Sequence, residues 1–359
     1  MTFYDKISDL PLYIEGGHFE LHEQETSSDF LRKTTRITLT GNGISGAGED
    51  VTYEAEEHDA LRQAAPAFPL AGDYTIASFS EHLSTLDLFF GRTIDRSEFR
   101  DFRRWGFESA ALALALNQAE TNLSRVLDRP YNPVRFVVST RLGDPPAIQR
   151  IVDLLRANPD LEFKLDPVSG WTDELIQDLA STGAVRILDF KGLYEGTEVD
   201  QPPDPDLYAK VMGAFPEAVI EDAAPTEEIL PLLRSEQHRL SWDYPIRGVR
   251  NIKERPFPPR WLNIKPSRFG TLQSLLDTIE YCLAQDITMY GGGQFELDVG
   301  RRHIQGLASL FYPDGPNDVA PGEYNTPTIS PDPPRSPLRP VDDIRGLDWR
   351  YQKNRQSNH

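Results

Sequence analysis

Four short segments between residues 186 and 265 repeat one design: a few apolar residues, then a charged one, then a turn or helix signal. They are Arg-Ile-Leu-Asp ending at Asp189, Val-Ile-Glu ending at Glu221, Leu-Ser-Trp-Asp ending at Asp243 and Leu-Asn-Ile-Lys ending at Lys265. The charged residues are 32, 22 and 22 positions apart. A strand followed by a crossover helix takes about twenty to thirty residues, so this spacing predicts successive βα units of a parallel sheet. Each strand would present one ionisable side chain at its carboxyl end. In a βα barrel those ends are where active sites are built.

The rhythm extends on both sides. Residues 135–140 (Arg-Phe-Val-Val-Ser-Thr) and 162–166 (Glu-Phe-Lys-Leu-Asp) read as strands, each followed by a helical pattern. Thr172 is the expected N-cap of the second helix. A further strand is expected from Ile287, and a last short one at Ser309-Leu310-Phe311, ending near Tyr312. About eight strands alternating with helices imply an α/β fold closed as a barrel.

Residues 1–130 follow another grammar. Ile-Thr-Leu-Thr (37–40) runs into the glycine-punctuated stretch 41–50, which predicts a hairpin or meander. Gly41, Gly43, Gly46 and Gly48 do not form a dinucleotide fingerprint, because β-branched residues rather than a helix follow. Residues 78–127 have helical periodicity. The expected domains are therefore an α+β unit over 1–130, a barrel over 131–325 and a proline-rich arm over 326–359. Proline excludes regular helix and central strand from the arm. It either lies extended over the body or is partly disordered, and Trp349 favours a docked end.

A chain of 359 residues suggests two units. A net charge of −19 argues against nucleic acid or an anionic membrane as partner. The longest purely apolar run, Ala110 to Leu116, is too short to span a bilayer. A single cysteine, Cys282, excludes an internal disulfide framework, and the N-terminus has no secretory pattern, so a cytoplasmic location is expected. Cys282 is expected in the core, and His303 on the surface of a helix.

The chain resembles the enolase superfamily, in particular its muconate-lactonizing and dipeptide-epimerase branch, over nearly all of residues 20–325. The stretch 33–50 is similar to that family's capping-domain hairpin, and Trp-Gly-Phe-Glu-Ser-Ala-Ala-Leu (105–112) to its first capping helices. Asp189, Glu221 and Asp243 match its three metal-ligating carboxylates. Lys265, in Asn-Ile-Lys-Pro-Ser-Arg-Phe-Gly, matches its sixth-strand lysine, and residues 290–298 its seventh-strand segment. Two positions depart from the pattern. The second strand reads Lys164-Leu-Asp166 where the family carries Lys-x-Lys, and the third reads Asp189-Phe-Lys191 in place of Asp-x-Asn.

The resemblance implies a modified (β/α)7β TIM-type barrel with an N-terminal α+β capping domain. It implies Mg²⁺ (or Mn²⁺) on Asp189, Glu221 and Asp243. It also implies removal of a proton α to a carboxylate through an ene-diolate, leading to epimerisation, cycloisomerisation or β-elimination. Lys265 is then the acid/base, with Lys164 and Asp166 as candidates on the opposite face. The expected partner is a small carboxylate-bearing substrate, and a homo-oligomer is expected. One alternative stays open. The ammonium of Lys191 could sit among the carboxylates in place of the metal, leaving a carboxylate-binding protein or a metal-free acid/base enzyme. The bland reading is that such carboxylates only cap the following helices.

Overall fold

A computed structural model describes residues 1–28, 30–64, 68–197 and 199–352. The N-terminal unit begins with β1 (Pro11–Ile14), β2 (Gly16–Glu25), β3 (Leu31–Gly41) and β4 (Ile44–Asp50). β2, β3 and β4 form an antiparallel meander, and β1 pairs with β5 (Gly72–Thr75). The β3–β4 loop is Asn42-Gly43, both at positive φ, as a tight two-residue hairpin requires. Three helices follow: Ile76–Ser84, Glu98–Gln118 and Leu123–Leu127. The expected helical stretch is thus broken at 85–97, where Phe90 and Gly91 take positive φ and Asp87 binds the backbone N–H groups of Phe89 and Gly91.

The long helix Glu98–Gln118 lies directly on β4. A Cβ at Gly46 would stand 2.0 Å from Leu114 N, and one at Gly48 would stand 2.0 Å from Gly106 O. Those glycines exist so that a helix can touch a strand, which agrees with their not being a phosphate loop.

Seven parallel strands follow in chain order: β6 (Val138–Thr140), β7 (Phe163–Leu165), β8 (Val185–Asp189), β9 (Val219–Glu221), β10 (Leu240–Trp242), β11 (Trp261–Ile264) and β12 (Thr288–Gly291). Each neighbour pair is parallel, and the β7–β8 register shifts by one residue between Phe163 and Lys164. Thr172 caps its helix as expected, its hydroxyl accepting from Leu175 N at 3.2 Å. The expected eighth strand at Ser309-Leu310-Phe311 is not there. Those residues end the helix Val299–Phe311, whose buried face includes Ile304, Leu307, Ala308 and Phe311. The gap between β12 and β6 is closed instead by Asn317 and Asp318. Val137 N donates to Asn317 O at 2.8 Å, and Asp318 N donates to Gly291 O at 2.8 Å. The Asn317 side chain accepts from Gly291 N and donates to Arg135 O, so an amide completes what a strand would have done. The sheet is therefore a (β/α)7β-type barrel whose last stave is two residues long.

Strand side chains alternate between the barrel interior and the helix layer. Val137, Ile187, Val219 and Tyr290 form a small apolar cluster inside the barrel, separate from the main core. Leu188 and Ile220 belong to the main core outside it. By the same period of two, Asp189 lies on the face of Ile187 and Glu221 on that of Val219.

Two buried polar residues fasten the capping unit to the barrel. Glu49, at the end of β4, accepts from Leu297 N (2.6 Å), Asp298 N (3.0 Å) and Gly300 N (2.8 Å) at the start of the helix Val299–Phe311. Arg32 donates to Val51 O and Thr52 O of the cap and to Gln294 O and Phe295 O of the loop after β12. The proline-rich arm is docked through its last described residues. Leu338 and Val134 exchange backbone hydrogen bonds, and Trp349 is fully buried beside Gly306. Residues 353–359 lie outside the described residues. Among the described residues no helix is long and apolar enough to cross a membrane.

Cys282 is buried, and burial pushes its thiol up to about 12, as suits an inert core residue. His303 is not on the surface. It is buried on the inner face of its helix, with Nδ1 unpartnered. Burial, helped by Arg302 and Arg36 and opposed by Asp298, lowers its pKa from 6.5 to about 3. Between those values the unfolded chain binds a proton that the folded chain refuses. Stability should therefore fall as pH drops through that window, by about 1.4 kcal/mol per unit. Urea unfolding of wild type and His303→Gln between pH 6 and 4 checks this. The variant should show the shallower slope, and parallel slopes would exonerate His303.

Candidate metal and acid–base site

The carboxyl ends of β7 to β11 converge, because a parallel barrel brings them to one rim. Asp189, Glu221 and Asp243 are fully buried there, and each offers an oxygen within 4.8 Å of the others. Lys164 lies between two of them. Its Nζ is 3.0 Å from Asp189 Oδ2, bonds Glu221 Oε1 and stands 3.8 Å from Asp318. Lys191 pairs with the same Asp189 oxygen and lies 4.0 Å from Asp166. Lys265 pairs with Asp243 at 2.8 Å, and Arg268 approaches the same oxygen at 3.4 Å.

All seven residues singled out in the sequence thus share one cluster. The route of Lys191 differs from simple strand alternation. β8 stops at Asp189, and Lys191 sits past its end at φ +53. Its N–H donates to Asp189 Oδ1 at 3.2 Å, a side-chain turn that folds the ammonium back onto the same carboxylate. Of the two amines, it is Lys164 that bridges two of the three acids. Glu296 accepts from Gln294 N, and Asp298 pairs with Arg36.

Several members had no sequence signal of their own. Asn263 donates to Glu221 Oε2 at 3.1 Å, and Tyr290 donates to the same oxygen. Tyr194 donates to Asp243 Oδ2 at 3.1 Å and accepts from Arg268 at 3.0 Å. Asp222 accepts from the N–H groups of Asp243 and Tyr244. Asn263 and Arg268 were findable, two residues before and three after Lys265. Asp318 follows no apolar run, and Tyr194 lies in a loop.

The electrostatics follow from burying like charges together. Burial pushes the Glu221 carboxyl up to about 8; Asp189 and Asp243 add to this, and Lys164 opposes it. Burial would also raise Asp243, but Arg268 and Lys265 outweigh it and hold it at about 2. For Asp189, Lys164 and Lys191 together overcome burial and drive the carboxyl well below its usual range. Burial penalises the ammonium forms of Lys164 and Lys191, yet the surrounding acids raise both well above an ordinary lysine. Asp166 is shifted upward, chiefly by burial.

The donor set suits a hard divalent cation. The three carboxylates supply oxygen only, and Asp243 Oδ1 is buried without a hydrogen-bond partner. The described cluster also carries more acid than base: Asp166, Asp189, Glu221, Asp222, Asp243 and Asp318 face Lys164, Lys191, Lys265 and Arg268.

Solved structures share this architecture. A member of the enolase superfamily from Listeria innocua aligns with TM-score 0.64 and 16% identity over 96% of this chain and 93% of that one. Muconate cycloisomerase from Pseudomonas fluorescens aligns with TM-score 0.65 and 17% identity over 95% and 97%. Muconate lactonizing enzyme from Pseudomonas putida gives 0.66 and 15% over 94% and 97%. The fold is that of the enolase superfamily, a capping domain on a modified barrel. Within that fold, the chain belongs to the family described as domain of unknown function (DUF8230), its residues 5–126 matching the N-terminal domain and 130–326 the C-terminal domain. An o-succinylbenzoate synthase from Listeria innocua is 32% identical over 84 residues, a stretch spanning 23% of this chain and 22% of that enzyme's length.

The rim leaves no spare room beside Lys265. A Cβ on Gly292 would stand 2.5 Å from Asn263 Oδ1 and 2.8 Å from Lys265 Cε. Gly292→Ala should therefore cost about 1–3 kcal/mol through overpacking and displace the Lys265 side chain. Gly213→Ala, on a helix where a Cβ meets nothing, should be neutral or stabilising. Urea denaturation of both, with a crystal structure of the first, tests the contrast.

Proposed function

We propose that this protein is a metal-dependent enzyme that moves a proton at the carbon next to a substrate carboxylate. The outcome is epimerisation, cycloisomerisation or β-elimination, the chemistry of an isomerase or lyase. One observation carries the reading: three inward carboxylates within 4.8 Å of one another, with Lys265 2.8 Å from one of them. Similarity to muconate cycloisomerases and, locally, to an o-succinylbenzoate synthase supports the class.

Asp189, Glu221 and Asp243 would hold Mg²⁺, or Mn²⁺ in its place. Bound there, the cation would withdraw charge from the substrate carboxylate and so acidify the neighbouring C–H. Lys265 is the acid/base. Arg268 and Tyr194 keep hold of Asp243 when Lys265 changes charge, so the proton can leave without stranding a buried carboxylate. On the opposite wall Asp166 is the group whose upward shift suits proton exchange, while Lys164 and Lys191 stay cationic and favour an anionic substrate. The partner is a small carboxylate, and the acidic composition with one buried cysteine supports a cytoplasmic protein, which we expect to form a homo-oligomer.

One observation favours a second reading. Lys164 already bridges Asp189 and Glu221 as a cation would. The cluster would then serve a metal-free acid/base enzyme or a carboxylate-binding protein. Calorimetric titration with Mg²⁺ and Mn²⁺ separates the two. Binding that disappears in Asp243→Asn supports the metal enzyme; no binding by wild type supports the metal-free one. Exchange of α-protons with D₂O across a panel of small carboxylic acids tests the chemistry. Lys265→Ala should abolish exchange while circular dichroism stays unchanged, and undiminished exchange would remove Lys265 from its role.

A further inference from the structure

Next to Glu221 stands a second buried carboxylate that no reading of the site has used. Asp222 is fully buried and adopts φ +47, the left-handed region that side chains other than glycine, asparagine and aspartate rarely enter. Such a conformation persists only where its surroundings over-determine it. Here they do. Asp222 N donates to Ser241 O at 3.1 Å on β10, and Asp222 O accepts from Gly192 N at 3.0 Å in the loop after β8. Its carboxylate oxygens divide between two further donors, Asp243 N at 2.9 Å and Tyr244 N at 2.8 Å.

One residue thus ties together the ends of three strands, and each of those ends carries one of the three acids. β8 ends in Asp189, β9 ends in Glu221, and β10 is followed at once by Asp243. The bond to Asp243 N matters most. Asp243 follows the last ladder residue of β10, so the pairing of β9 with β10, which ends at Ser241 and Glu221, does not fix its backbone. The Asp222 side chain supplies the missing anchor.

We propose that Asp222 is a positioning residue that sets the spacing of the three carboxylates by holding the backbone of Asp243 against β9. The inference rests on the metal-dependent reading above. Asp222 does not itself ligate the ion, since both its oxygens are spent on backbone donors. It acts through Asp243, as residues behind a metal ligand commonly do, and removing such a residue weakens metal affinity by about 10- to 100-fold.

The test uses the full chain and Mn²⁺ alone, read by calorimetry, with thermal unfolding measured in parallel. Asp222→Asn keeps one acceptor oxygen and tolerates the left-handed backbone. Asp222→Gly keeps neither oxygen but favours that backbone, so its loss is confined to the side-chain hydrogen bonds. Mn²⁺ affinity should fall roughly tenfold in the first and towards 100-fold in the second. Affinities within about twofold of wild type in both variants would overturn the proposal. A loss of thermal stability with affinity intact would overturn it too, by making Asp222 a structural tie only. Should wild type itself take up no Mn²⁺, the metal reading fails and the inference falls with it; a wild type that binds Mn²⁺ and variants that bind it as well sink the inference alone.

Discussion

Buried carboxylates repel one another, and this barrel rim gathers Asp189, Glu221 and Asp243 where water cannot separate them. Such a group can be kept in three ways: by protonating a member, by supplying cations from the chain or by binding an ion. The first two have their means in the chain itself. Burial pushes Glu221 towards the neutral form, and Lys164, Lys191, Lys265 and Arg268 crowd the three acids, Lys164 bonding Glu221 as well as Asp189. The rest of the fold serves that arrangement. The parallel strands put the acids on one rim; β7 itself carries Lys164, and the segments after β8 and β11 bring Lys191, Lys265 and Arg268.

The cap matters for the same reason. Electrostatic interactions strengthen as water is excluded, and the Glu49 and Arg32 contacts press the cap onto the loop that follows β12. Both fasteners use backbone groups as partners rather than opposite charges.

What the sequence revealed was the part that obeys periodicity. Strand-end residues at regular spacing located Asp189, Glu221, Asp243 and Lys265, while Lys164 and Asp166 came from the family resemblance of the second strand. What it hid was set by tertiary contact. Ser309-Leu310-Phe311 is a short apolar run, and such runs look alike in a strand and at the end of a buried helix; the packing of Phe311 settled it as helix. His303 follows two arginines and reads as exposed until the helix is seen to be buried along that face. Tyr194 and Asp222 reach the site from left-handed turns and loops, where no period applies. Lys191 was placed correctly beside Asp189, but by a local turn rather than by strand geometry.

The closure at Asn317 carries a consequence of its own. A cylinder of hydrogen bonds is here completed by two backbone bonds and one amide side chain, all on Asn317 and Asp318. The next residue, Asp318, turns its carboxylate towards Lys164. Loosening that seam would therefore also shift the charge felt by the lysine wedged among the acids. The zip that shuts the cylinder and the dial that trims its electrostatics are the same two residues.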